Sequence, residues 1–340
     1  MRGGHETLSN DQYAYAVGRV RAMETRLLDR SKIERMVEAS SAEEALKVLG
    51  ETEYAEYLAG LKNIYDYDTM LDQELHRVYL ELHRFSPEPE LVGLFACKFD
   101  YHNLKVLLKA QKMGEKRDEL LVRDVGNIPL AVLIRAVNEE DYTNLPSKMR
   151  QAAEQISEAF RLEANPQLVD LLLDRAMFLE IFEKLEKLDS SYLKEYFTYL
   201  VDLINIKTYL RVKRTNNSRE FLEQALLPFG EKDMTRLVQL VDPLEVLVDR
   251  LMSSRYAQFI EDGIQTYQKT DTLTRFEKLA DNFLLKHVKK AKYVTFGPEP
   301  LAAFILAKEN EIKVIRIIMV GKINQLPTEE IKERLRDVYV

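Results

Sequence analysis

Apolar residues recur along this chain at helical spacings, as in Tyr192, Tyr196 and Tyr199, and the pattern predicts helices throughout. Three stretches stand apart: Leu91 to Ala110, Tyr196 to Val212 and Leu301 to Val320 are apolar on most faces. Such a helix is packed from several sides rather than laid on a surface. Each stretch carries a polar interruption at a corresponding place, typified by Asp100, Asn103 and Lys105 in the first. Burying those groups unpaired would cost several kcal/mol, so they are expected to find partners or to face water in a cavity or an interface.

Helix-start signals are frequent. Ser31 with Glu34 and Ser41 with Glu44 read as capping boxes, and Asp242-Pro243 with Glu245 as a capped start with proline at the first helical position. The starts belong to a repeat. Ser41 to Tyr54, Pro129 to Tyr142 and Pro243 to Tyr256 align without a gap, each placing a helix opener thirteen residues before a tyrosine. A second set follows: Asp100, Asn103 and Lys105 match Asp202, Asn205 and Lys207, with Glu311, Lys313 and Arg316 in a looser third copy. Asp72 and Asp174 each precede their lysine by 33 positions, and Ser86-Pro87-Glu88-Pro89 echoes Gly297-Pro298-Glu299-Pro300. A period near one hundred residues exceeds the roughly 20–50 of ordinary solenoids, so each block is expected to be a small helical domain. With linkers at Lys112 to Asp118 and Thr215 to Glu220, the blocks are 1–116, 117–217 and 218–340.

Composition agrees. Of 340 residues 46% are hydrophobic and 31% charged, which excludes disorder, and twelve Gly with ten Pro favour helix. A net charge of −7 argues against a surface that tracks nucleic acid. The single cysteine, Cys97, allows no internal disulfide and suits a reducing cytosol. No apolar run reaches the ~18–20 residues of a membrane span, and Met1 to Asn10 lacks a signal-peptide core.

Catalytic chemistry is hard to place. Gly321-Lys322 lacks the rest of a phosphate-binding loop and reads as a helix C-cap glycine. His76 and His83 share a helix face about 10.5 Å apart, too far to ligate one metal, and no histidine follows a glutamate by three. Asp66 with Asp68, and Glu139 to Asp141, read as solvated turn residues. Cys97 lies among Leu94, Phe95 and Phe99, a setting for core packing rather than thiolate chemistry. No catalytic group, metal ligand or cofactor is expected.

Tyr13 to Leu28, Val201 to Arg211 and above all Phe296 to Lys322 resemble the C subunit of the archaeal and bacterial V-type (A-type) ATPases, a relative of the eukaryotic d subunit, along essentially the whole chain. The resemblance implies an all-α, funnel-shaped protein of three similar domains in pseudo-threefold arrangement. It also implies a non-catalytic subunit, without nucleotide of its own, peripheral on the cytoplasmic face of the membrane. There it would sit on the proteolipid ring and receive the central-stalk subunits of D and F type. Asn103, Lys105, Asn205, Lys207, Glu311, Lys313 and Arg316 are the expected partner-binding residues, facing the central opening. A free-standing helical scaffold that binds peptides, or a helical enzyme with a convergent pocket, would share the composition.

Overall fold

The computed structural model describes residues 10–162, 165–215, 218–231, 236–238 and 244–340. Among these every regular element is helical, as the apolar periodicity predicts. In order they are α1 (Asn10–Glu24), α2 (Arg30–Glu38), α3 (Ala42–Leu49), α4 (Ala55–Leu58), α5 (Tyr67–Phe85), α6 (Pro89–Met113), α7 (Leu130–Glu139) and α8 (Ser147–Leu162). There follow α9 (Pro166–Leu188), α10 (Ser191–Thr215), α11 (Arg219–Ala225), α12 (Leu244–Leu251), α13 (Ala257–Thr270), α14 (Thr274–Val288), α15 (Glu299–Ile323) and α16 (Thr328–Arg334). Short 3₁₀ turns occupy Ile64–Asp66, Asp118–Leu120 and Lys289–Tyr293.

Side-chain caps open several of these helices, each satisfying an otherwise orphan N–H. Asp29 accepts from Lys32 N, Ser41 from Glu44 N, and Ser218 from Phe221 N. The Ser31 box does not form, because α2 begins two residues earlier with Asp29 as its cap. At Ser41 half the box forms: the Glu44 carboxylate bonds the N–H and hydroxyl of Ser40 instead of returning to Ser41. The start at Asp242-Pro243 lies outside the described residues, as do Met1 to Ser9 and part of the linker from Thr215 to Glu220. Glu140, Asp189 and Asp271 adopt left-handed φ of 51°, 45° and 50° to end α7, α9 and α13, which is how so helical a chain manages with few glycines.

The chain divides into two compact units, one of Met1–Pro89 with Val248–Val340 and the other of Glu90–Leu247. In the first, α1, α2, α3, α5, α14 and α16 all pack on α15, whose residues from Pro300 to Lys308 are buried without interruption. Gly321 lies inside α15, and Asn324 is the C-cap, so the expectation of a capping glycine is corrected. A Cβ at 321 would stand 2.6 Å from Ile331, so the glycine admits α16 against α15. In the second unit α8 packs along α9, and α10 is held by α9 and α11. The Phe95 and Phe197 rings meet there at 5.8 Å.

The repeat tyrosines Tyr54, Tyr142 and Tyr256 are all buried. The turns before the first and third correspond bond for bond. Thr52 Oγ1 donates to Leu49 O at 2.6 Å and receives Tyr54 N at 3.3 Å; Ser254 Oγ donates to Leu251 O at 2.6 Å and receives Tyr256 N at 3.2 Å. The middle copy has Glu140 where these have the hydroxyl, and the left-handed stop of α7 replaces the hydroxyl-bridged turn.

Candidate functional site

The helices that carry the predicted site, α6, α10 and α15, are each 25 residues long. On α6 the Asn103 amide exchanges two hydrogen bonds with one backbone residue: Nδ2 donates to Val122 O at 2.7 Å, and Oδ1 accepts Val122 N at 2.8 Å. On α10 Asn205 treats Leu227 identically, at 3.0 and 2.8 Å. One turn earlier, Asp100 accepts the N–H groups of Asn127 and Ile128, and Asp202 accepts that of Glu231. Asp100 and Asn103 thus hold the segment that follows α6, and Asp202 and Asn205 the segment that follows α11. Burial pushes the Asp100 carboxyl up to about 6, against the lowering pull of the two backbone donors.

The third copy reaches the same end through charge. Lys308 and Glu311 stand where the others have aspartate and asparagine, and Glu311 accepts the backbone N–H of Leu28 at 2.5 Å and the Tyr54 hydroxyl at 2.8 Å. Lys308 is 1% exposed and lies 2.8 Å from Glu311 and 3.1 Å from Glu74, itself fully buried. Arg77 completes the network by pairing with Glu74, Glu53 and Glu81. Burial works against the charge on Glu74, but Arg77 and then Lys308 overcome it and hold the carboxyl below its ordinary range. Lys308 is held above its own range, since Glu311 and Glu74 outweigh the desolvation that lowers it. The segment at Leu28 leads into the first block, so the last long helix does for the chain's beginning what α6 and α10 do for the segments after them.

The basic residues form a second, more exposed layer. Lys105 and Lys109 on α6 pair with Asp174 (2.5 Å) and Asp170 (2.7 Å) on α9. Arg316 on α15 pairs with Asp68 (2.8 Å) and Asp72 (3.9 Å) on α5. Asp68 and Asp72 recur in the sequence as Asp170 and Asp174, so an acidic pair at helical spacing serves α15 and its counterpart serves α6. Asp174 therefore serves Lys105 in the preceding block rather than Lys207, 33 positions ahead of it. Lys313 is exposed and reaches Asp281 at 2.5 Å, and Lys207 is half-buried. Of the seven predicted residues, then, Asn103, Asn205 and Glu311 turn inward to the chain's own backbone, while Lys105 and Lys207 in one unit and Lys313 and Arg316 in the other are half-buried or exposed. Glu74, Tyr54 and Lys308 were not among the predicted residues. The departure of Lys308 and Glu311 from the Asp and Asn pattern was the signal that an acid had to come from elsewhere.

Among the described residues no group of His, Cys, Asp and Glu could hold a metal ion, and no helix is long and apolar enough to cross a membrane. Burial pushes the Cys97 thiol far up, which disarms it as a nucleophile. His102 bonds Leu120 O at 2.8 Å, fixing the segment after α6 rather than facing a pocket.

The profile of the family described as ATP synthase (C/AC39) subunit matches residues 16–334. The C subunit of the V-type sodium ATPase of Enterococcus hirae is 29% identical over 322 residues, covering 94% of this chain and 97% of its own. The C subunit of the A-type ATP synthase of Methanocaldococcus jannaschii is 29% identical, covering 95% and 86%, and that of Methanobrevibacter smithii 28% identical, covering 93% and 86%.

Proposed function

Because the chain belongs to the ATP synthase (C/AC39) subunit family, we propose that it is the non-catalytic rotor subunit of a V/A-type rotary ATPase, seating the central stalk on the membrane proteolipid ring. The observation that carries this reading is the family match over nearly the full length of both this chain and its relatives. Its work is mechanical. Torque passes between two partners without slippage when the body between them is close-packed, and packed interiors deform little. The three 25-residue helices, largely buried and stapled to backbone segments at Val122, Leu227 and Leu28, are the packed elements that support this reading.

In this reading the blocks 1–116, 117–217 and 218–340 are three helical domains in pseudo-threefold, funnel-like arrangement, which the recurring staples support. Lys105, Lys207, Lys313 and Arg316 present charge to stalk subunits of the D and F type, while Asn103, Asn205 and Glu311 fix the helices that carry them. A contact that must hold under load yet assemble reversibly favours polar and charged groups over a wholly apolar face. The subunit is then peripheral on the cytoplasmic face of the membrane and needs no nucleotide, metal or cofactor.

The test uses ATPase complexes stripped of this subunit and then given it back. Hydrolysis should drive ion pumping in the restored complex and run uncoupled in the stripped one. Equal pumping in both states overturns the proposal.

A further inference from the structure

We propose that the surface segment from Lys286 to Phe296, between α14 and α15, docks on the headgroup layer of an anionic phospholipid bilayer. It carries Lys286, Lys289, Lys290 and Lys292 within seven positions of a chain whose net charge is −7. Among the described residues none of the four forms an ion pair, whereas Lys308, Lys313, Arg316, Lys332 and Arg336 in the same unit all do. The facing charges leave an excess of positive charge. Lys286 and Lys289 border a shallow groove with Asp337. Glu24 faces Lys292 but is already engaged by Arg21 at 2.8 Å and by the Tyr339 hydroxyl at 2.8 Å. The carbonyl end of α14 favours one or two cations beside it, but that effect fades beyond the last turn and gives no account of Lys292.

Two large rings accompany the lysines. Tyr293 is 91% exposed and Phe296 44%. They are not on a loose tip, because the Arg21 guanidinium on α1 donates to the carbonyls of Ala291, Lys292 and Val294 at 2.7, 3.3 and 2.9 Å. The Lys292 ammonium lies 4.6 Å over the Tyr339 ring, tying the turn to the chain's end. A backbone held in this way has already lost the freedom that binding would otherwise remove. Unpaired lysines beside a rigidly displayed tyrosine and phenylalanine match an anionic headgroup layer with an apolar zone beneath it. The groove that Lys286 and Lys289 border is open rather than enclosing a small anion, and an acidic protein surface would not require the rings.

This inference concerns a membrane contact of the chain itself and stands apart from the coupling role. The full chain is sedimented with vesicles of phosphatidylcholine alone and of phosphatidylcholine with phosphatidylglycerol, at low and high salt. Binding is expected on the anionic vesicles alone, weakened by salt. Replacing the four lysines by glutamine should lower it by about a thousandfold at low salt, replacing them by arginine should preserve it, and Tyr293→Ser with Phe296→Ser should weaken it at every salt concentration. All these positions are exposed or half-buried, and an unchanged melting curve confirms the fold of each variant. Failure to bind anionic vesicles, equal binding to neutral ones, or undiminished binding by the glutamine variant overturns the proposal. Capture of a detergent-solubilised proteolipid ring without vesicle binding overturns it too, assigning the segment to a protein surface. The assay contains no rotary complex, so its outcome and that of the coupling test are read separately.

Discussion

Glu311 receives the backbone N–H of Leu28 across 283 positions of sequence, at 2.5 Å, and so ties α15 to the connection between α1 and α2. Its other oxygen takes both the Tyr54 hydroxyl and the Lys308 ammonium. Glu311→Ala would strand the Leu28 N–H and the Tyr54 hydroxyl in a buried setting and leave Lys308 with Glu74 as its close partner, a loss of about 3–5 kcal/mol for a broken buried ion network. Glu311→Gln keeps an acceptor for Leu28 and leaves Lys308 with Glu74, so about 1–2 kcal/mol is expected. Hydrogen exchange at the Leu28 amide reads this locally. Equal acceleration in both variants would mean that the charge, not the bond, holds the junction.

The two neutral staples make a parallel prediction. Asn103→Ala leaves both polar groups of Val122 unbonded, and Asn205→Ala does the same to Leu227. An orphaned buried backbone group costs about 1–3 kcal/mol, or roughly a ten- to hundredfold faster exchange at the Leu227 amide, with a smaller effect at half-buried Val122. Each effect should stay within its own segment. Exchange at Leu227 that speeds up in the Asn103 variant would show the two staples to be one cooperative unit.

How much of this was legible in the sequence follows from what each signal depends on. The helices and the three long buried ones follow from apolar spacing, which the backbone period alone converts into burial. Asn103 and Asn205 were legible as polar residues needing partners, because the repeat put them on buried faces twice. The partners were not, since Val122, Leu227 and Leu28 contribute backbone groups that carry no residue signature. Ser31 illustrates another limit: Asp29 offers an equally good cap two positions earlier, and the helix starts there. The spacing of Asp174 from Lys207 was legible as a repeat marker, yet the carboxylate pairs with Lys105, a choice made by helix packing.

Asp100 gives a pH-dependent prediction whose sign follows from burial. Its carboxyl titrates near 6 in the folded chain and near ~3.9 when unfolded, so the folded state holds the proton over the interval between. Stability is fully present below the unfolded value, falls as pH rises from about 4 to about 6, and is level above. The loss is on the order of 2–3 kcal/mol. Asp100→Asn keeps an acceptor for the N–H of Asn127 or Ile128 and removes the charge, so its melting temperature should lack that decline. Gly126 must stay, because a Cβ there would lie 2.2 Å from Asp100 Oδ1. Superimposable pH profiles for the two proteins would remove Asp100 as the source.

The exposed cations provide the mutational test of the proposed partner contact. Arg316 and its partners Asp68 and Asp72 are each about half exposed, and such pairs contribute ~0–1 kcal/mol, so Arg316→Glu should leave the isolated chain folded. Lys207→Glu changes a half-buried group on α10 and should also fold. Either reversal turns a favourable charge toward the stalk into a repulsive one, and a rim charge acts chiefly on association, with a salt-dependent loss of about tenfold. Co-purification of stalk subunits with the variant chain, at low and high salt, reads this directly. Retention equal to that of the unaltered chain would move the contact elsewhere, and a melted variant would show these residues to be supports of the fold.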